Sequence, residues 1–256
     1  MANRTISLGD TEVRRIGLGT NRLTNTPENV EFIGAATDAG LAHIDTAYLY
    51  TGGESEPTIG SALDLPRSGC VVATKGGYRA GEGSPDVLRG QIEESMRRLG
   101  TDAIDLYYLH RVHPDTPLED SMAVIAEYHD AGRIRHVGIS EVGIAQVERA
   151  RDVVPIAAVQ NRYNLGDREH DEVIDHCAEQ RIVFVPYFPL RGSDAPAVAE
   201  IAERRGATPT QIALAWLLHR SPAMLPIPGT LSIDHLQENL GALEIELTDD
   251  EFRGLG

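Results

Sequence analysis

Apolar residues along the chain fall into two alternating patterns. Short runs rich in Val, Ile and Leu end in polar or ionisable side chains, and between them apolar positions repeat at helical spacing. The runs at 17–21, 43–50, 70–76, 104–110, 134–139, 156–160, 182–187 and 224–227 read as buried parallel strands. Helices are expected over 29–39, 56–63, 86–99, 118–131, 144–153, 171–180 and 232–243, with two more between the seventh and eighth strands and a last turn at 249–255. In the helix at 86–99, Val87, Leu88, Ile92, Met96 and Leu99 share one face. The helix at 209–219 carries its own start signal: Thr208 as N-cap, Pro209 in the first turn and Gln211 where a capping box needs it.

Strand and helix alternate at roughly 30-residue spacing, the length of a βα unit. Eight strands, each followed by a helix, predict an α/β fold of the (β/α)8 TIM-barrel type, one domain over residues 1–256, in preference to an open doubly wound sheet. Ahead of the repeat, residues 6–18 alternate on either side of Gly9-Asp10, which reads as a hairpin capping one end of the barrel. The sequence contains no linker or low-complexity stretch that would mark a second domain.

Composition narrows the function. A chain of 256 residues that is 41% hydrophobic can bury a large core. Its net charge of -16 argues against nucleic acid and anionic membrane surfaces as partners, since phosphates are repelled on approach. No apolar run is long enough to cross a bilayer, and the start lacks the apolar segment of a signal peptide, so a cytoplasmic protein is expected. Cys70 and Cys177 are too few for a disulfide framework and read as buried thiols. Lys75 is the only lysine, every other member of the 23 Lys and Arg residues being Arg. An ammonium whose pKa can be moved by its neighbours is something Arg cannot supply, so a lone lysine closing a strand points to function.

In barrels of this kind, chemistry collects where the strands end. Asp45, Tyr50, Lys75, His110, Ser140, Gln160, Tyr187 and Thr230 all stand at or just past expected strand ends. The chemistry they suggest is proton transfer: a Tyr activated by a neighbouring ammonium that lowers its pKa, an Asp orienting that ammonium, and a His beside a carbonyl oxygen. None of these side chains is an electron donor, so a hydride would have to come from a cofactor. His110 and His113 lack a third ligand, and no metal is expected. The glycine-rich stretch 76–83 lacks the Lys-Ser/Thr of a phosphate loop and reads as a mobile loop beside the substrate.

Seven motifs in order, His43-Ile-Asp-Thr-Ala-Tyr-Leu-Tyr50, Thr74-Lys-Gly76, Asp105-Leu-Tyr-Tyr-Leu-His110, Val137-Gly-Ile-Ser140, Val159-Gln-Asn161, Tyr187-Phe-Pro-Leu190 and Ile227-Pro-Gly-Thr230, resemble those of the aldo-keto reductase superfamily. The resemblance implies Tyr50 as general acid, Lys75 and Asp45 as the groups that tune it, and His110 as the group that positions the carbonyl. It implies Ser140 and Gln160 on the nicotinamide carboxamide, Tyr187 stacked on the ring, and Gly19, Thr20 and Asn21 along the cofactor. Leu190, Gly229, Thr230, Ser232, Gln237 and Asn239 would take the pyrophosphate and adenosine end. The implied function is NADP(H)-dependent reduction of a small aldehyde or ketone, with NAD(H) also used.

Three departures accompany the matches. Glu141 stands where many members carry Asn, Gly229 and His235 stand where Lys or Arg often meets the 2′-phosphate, and the tail ends soon after the last barrel helix instead of covering the pocket. The short loops, with Ser140-Glu141 and Ile227-Pro-Gly-Thr230, are similar to a bacterial branch that includes pyridoxal reductases, which makes pyridoxal a candidate substrate. Two other functions remain compatible with the residues: a Schiff-base lyase or aldolase using Lys75, and a non-catalytic sensor that binds a nicotinamide cofactor. The oligomeric state is not readable from the sequence.

Overall fold

The structure, a computed structural model, describes residues 4–65 and 69–256. The expected hairpin forms from β1 (Thr5–Leu8) and β2 (Thr11–Arg14), antiparallel, with Leu8 opposite Thr11. Seven parallel strands then pair strictly in chain order: β3 (Leu18–Gly19), β4 (His43–Asp45), β5 (Val71–Gly76), β6 (Ile104–Leu109), β7 (Ile134–Ser140), β8 (Ile156–Gln160) and β9 (Val183–Phe184). Between and after them run α1 (Pro27–Asp38), α2 (Ser55–Ala62), α3 (Pro85–Leu99), α4 (Leu118–Asp130), α5 (Ile144–Arg151), α6 (Asp171–Gln180), α7 (Pro196–Arg205), α8 (Pro209–Arg220), α9 (Ile233–Gly241) and α10 (Asp249–Gly254). The capping box read at Thr208 is formed, Gln211 N-H donating to Thr208 Oγ1 while Gln211 Oε1 accepts from Thr208 N-H.

The sheet is a curled, seven-stranded one and not the closed ring of eight strands that the sequence leads one to expect. Residues 224–229 take the eighth position without forming a regular strand. They still bond to both sheet edges: Leu225 N-H donates to Phe184 O at 2.9 Å, while Gly17 and Gly19 N-H donate to Pro226 O and Pro228 O at 3.0 and 3.2 Å. Pro226 and Pro228 explain the irregularity, because on the side facing β3 this segment can accept but has no N-H to give back. Pro186 likewise cuts the seventh strand short of the expected 182–187.

Period-two alternation sorts the strand residues between two cores. Ile44, Val72, Tyr107, Leu109, Val137, Ile139, Val159 and Phe184 pack outward against the helices. Val71, Ala73, Leu106, Tyr108, Ala158, Val183 and Val185 point inward, where Leu8 and Val13 of the hairpin plug one end of the curled sheet. Interior space is tight: a Cβ on Gly138 would lie 2.3 Å from the Tyr108 ring, so the glycine is what lets Tyr108 fill the centre. Counting on by twos from the inward set reaches Lys75, His110, Gln160 and Tyr187, so the same alternation that builds the inner core aims these polar residues at the opposite end. The last helix, α10, docks on the flank of the molecule, Phe252 stacking on Trp216 with ring centroids 5.6 Å apart.

Candidate active site

The strand ends opposite the hairpin open into a cavity of about 770 Å3, within the range typical of small-molecule sites. Its floor is an ion pair. Lys75 is fully buried, and its Nζ donates to Asp45 Oδ1 at 2.5 Å and to Thr46 O at 2.7 Å. The other oxygen of Asp45 accepts from Gln160 Nε2 at 2.8 Å. Strand register brings these groups together, with Asp45 paired to Ala73 two residues before Lys75, and Ser140 to Gln160.

Tyr50 reaches the cavity from the turn after β4. That turn carries left-handed backbone at Thr51 (φ 49°) and Gly52 (φ 70°), and Thr51 Oγ1 ties it down by donating to Leu23 O at 2.8 Å. Arg98 of α3 holds the preceding stretch, donating to Tyr48 O at 2.9 Å and to the buried Glu56 at 3.2 Å, while Glu56 accepts from Thr74 Oγ1 at 2.6 Å. The Lys75 ammonium lies 5.1 Å from the Tyr50 ring centroid, and the His110 ring 6.2 Å from it, edge-on. Burial pushes the Tyr50 phenol above its ordinary value, with Lys75 pulling it back. The net direction is upward, opposite to the lowering expected from the ammonium alone, because desolvation outweighs the charge. Burial, then Lys75 and Arg111, drives the His110 imidazole down to about 2, so it is neutral, and its Nδ1 is buried with no hydrogen-bond partner among the described residues.

Gly19, Thr20, Asn21, Ser140, Tyr187, Leu190 and Gly229 also line the cavity. Thr20 has a structural tie as well, its Oγ1 donating to Asp45 O at 2.8 Å. Gln160 lines the cavity, and its Nε2 donates to Asp45 Oδ2. Thr230, Ser232, Gln237 and Asn239 stand outside the cavity wall; Ser232 caps α9, its Oγ accepting from His235 N-H at 3.4 Å. Glu141 adopts a left-handed φ of 58°, a conformation that Asn tolerates better than Glu, and its carboxylate accepts from Arg162 N-H at 2.8 Å.

Among the charged residues of the cavity wall, sequence reasoning missed Arg22 and Arg111. Tyr78, in the glycine-rich loop expected beside the substrate, sets its ring 4.8 Å from that of His110. The signal available for Arg111 was its place directly after His110. Arg22 carried no signal beyond adjacency to the implied cofactor loop at 19–21.

A family model described as the aldo/keto reductase family matches residues 15–255. The chain belongs to the aldo/keto reductase family. Pyridoxine 4-dehydrogenase of Escherichia coli is 34% identical, with 98% of this chain and 96% of that protein covered. A thermostable aldo-keto reductase crystallised with the inhibitor epalrestat superposes with a TM-score of 0.90 at 34% identity, covering 98% of each chain. An aldo/keto reductase from Klebsiella pneumoniae, crystallised with NADP and acetate, gives 0.88 at 29% identity over 99% of this chain and 94% of that one. The fold is thus that of the family's oxidoreductases, and among the described residues no helix is long and apolar enough to cross a membrane.

Proposed function

We propose that this protein is an NADP(H)-dependent reductase of aldehydes or ketones, built as one (β/α)8 domain that residues 224–229 complete, with Tyr50 as general acid. The observation that carries the reading is the buried Asp45–Lys75 pair set beneath Tyr50 and His110 in a cavity of ligand size. The cavity also suits a dinucleotide: Arg22 and Arg191 offer cationic groups, Ser140 a hydroxyl, and Tyr187 a ring face. When bound, the reduced nicotinamide would supply the hydride.

The chain's own residues handle the proton and the positioning. Tyr50, protonated at neutral pH, gives its phenolic proton to the developing alkoxide, and Lys75 stabilises the phenolate left behind. Asp45 and Thr46 O hold the ammonium in place. Neutral His110, barred from taking a proton by burial and two cations, orients the carbonyl. The burial of Lys75 and its engagement by Asp45 disfavour the aldolase reading, because a Schiff base needs a free, neutral amine facing the substrate. Pyridoxal is proposed as one substrate, on the strength of the E. coli relative's activity as named.

The test is NADPH oxidation with a carbonyl panel that includes pyridoxal and aromatic aldehydes, run on the wild type and on Tyr50→Phe. The variant is expected to lose about 100-fold or more in kcat at nearly unchanged cofactor Kd, the range of a lost general acid. Wild-type turnover in Tyr50→Phe would remove the assignment.

A further inference from the structure

Acidic residues outnumber Lys and Arg by 39 to 23, and over most of the surface arginines are paired with carboxylates, as in Arg89–Glu127, Arg133–Glu93, Arg149–Glu119 and Arg205–Glu251. The cavity reverses this. Among the described residues, Arg22, Arg111 and Arg191 line it without a carboxylate partner, and the only acidic residue in its wall, Asp45, is committed to Lys75 and Gln160. Glu141, near Tyr187, accepts from the Arg162 backbone. Arg22 donates to Gly229 O at 3.2 Å, and the Arg191 guanidinium carbon lies 4.7 Å from the Phe188 ring centroid. Arg111 lies elsewhere, directly after His110.

Its guanidinium is fixed on one side and free on the other. Nη1 donates to His110 O at 2.7 Å and to Ser140 Oγ at 3.2 Å, which uses both of its hydrogens. Nε and Nη2 have no hydrogen-bond partner among the described residues, and those two nitrogens form the fork that meets a carboxylate with two parallel bonds. The rings of Tyr78 and Tyr187 lie 5.4 and 6.0 Å from the guanidinium carbon, and the Tyr78 ring is also the one beside His110. A pinned, half-buried cation with its bidentate edge unfilled therefore shares a wall with the group that orients the carbonyl.

We infer that Arg111 is a specificity residue of this site, binding an anionic oxygen group, in the simplest case a carboxylate, carried by the carbonyl substrate itself. The inference rests on the reductase reading and names the substrate class within it. Arg111 takes no part in the proton or hydride step. It fixes where the reacting carbonyl sits relative to Tyr50 and His110.

The test pairs 2-, 3- and 4-carboxybenzaldehyde and phenylglyoxylate with their neutral methyl esters. In the wild type the best acid should exceed its ester in kcat/KM by about 10- to 100-fold, the span of a charge-assisted bidentate contact. Arg111→Gln should collapse that ratio toward one, and Arg111→Lys should restore part of it, since a point charge keeps the attraction but not the fork. Calorimetry with benzoate against benzamide reads the anion site without turnover, and benzoate binding should disappear in Arg111→Gln. Esters turned over as well as acids, an acid-to-ester ratio unchanged in Arg111→Gln, or a loss confined to NADPH Kd would each overturn the inference while leaving the reductase reading intact. Absence of turnover for every carbonyl, with Arg111-dependent benzoate binding retained, would instead sink the reductase reading and support the anion site.

Discussion

His110 shows how a single side chain's chemistry is set by what surrounds it. A histidine in water titrates near pH 6.5, but here burial, with two cations beside the ring, holds the imidazole neutral down to about 2. Tyr50 is moved the other way, its phenol held protonated above the ordinary range by burial. Reduction needs the phenol protonated and His110 neutral, and both conditions hold from mildly acid to mildly alkaline pH. The expected kcat/KM profile for carbonyl reduction is therefore flat between about pH 5 and 9 and falls only at higher pH as Tyr50 ionises. A break near pH 6.5 that disappears in His110→Gln would show that His110 does take up a proton.

At the scale of elements, the site depends on a helix that never touches it. Arg98 of α3 bonds to Tyr48 O, to the buried Glu56 of α2 and to Glu94, and its guanidinium carbon sits 4.4 Å from the Tyr48 ring centroid. It thereby clamps the stretch between β4 and the turn that presents Tyr50. Replacing it would strand the Glu56 carboxylate, which is fully buried and would keep only Thr74 as a side-chain partner. Arg98→Gln is expected to cost about 3 kcal/mol of stability, in the range for breaking a buried ion pair, and to lower kcat more than it raises KM. Urea denaturation together with steady-state kinetics would check both; unchanged kcat in a destabilised variant would confine Arg98 to a structural role. The sequence showed the strand-helix alternation because apolar periodicity is local, but the Arg98–Glu56 pair joins residues 42 positions apart and left no local mark.

Across the whole molecule, two features set how it responds to its surroundings. His43, buried at the start of β4, has its pKa driven down to about 4 by burial. A histidine whose folded pKa lies below its unfolded value favours the native state above both and loses that contribution as pH falls from about 6.5 toward 4, where the unfolded chain binds the proton first. The loss from His43 is about 3 kcal/mol over that window, and His110 adds to it. Thermal midpoints should drop between about pH 6.5 and 4.5, and His43→Leu should flatten the slope; an identical slope would exclude His43 as a source. The second feature is the set of arginines that tertiary structure gathers at the mouth. Arg220 is not among them, being bound to Asp171 and Asp175 on the flank. On the proposed reading Arg22 and Arg191, which line the cavity, would stand in for the Lys or Arg missing at Gly229 and His235, and guanidinium groups do not titrate near neutrality. NADPH should thus be preferred over NADH by a ratio that is flat between about pH 6 and 8, and the Arg22→Gln/Arg191→Gln pair should reduce that ratio at least ~10-fold. A preference unchanged in the double variant would show that neither arginine meets the 2′-phosphate.

The sequence by itself determined the order of strands and helices, the hairpin ahead of them, the capping box at Thr208 and the strand ends at which Asp45, Lys75, His110, Ser140 and Gln160 stand, because each is written in periodicity or in a few adjacent residues. Tertiary structure alone decided what those residues became. It turned the Gln160 amide onto Asp45, raised the Tyr50 pKa where the ammonium alone would lower it, and left the eighth position irregular because Pro226 and Pro228 cannot return hydrogen bonds to β3. It also brought three arginines from separate loops to one cavity wall, without carboxylate partners among the described residues. Desolvation and partner choice depend on everything packed around a group, and groups far apart along the chain meet only once the sheet has curled.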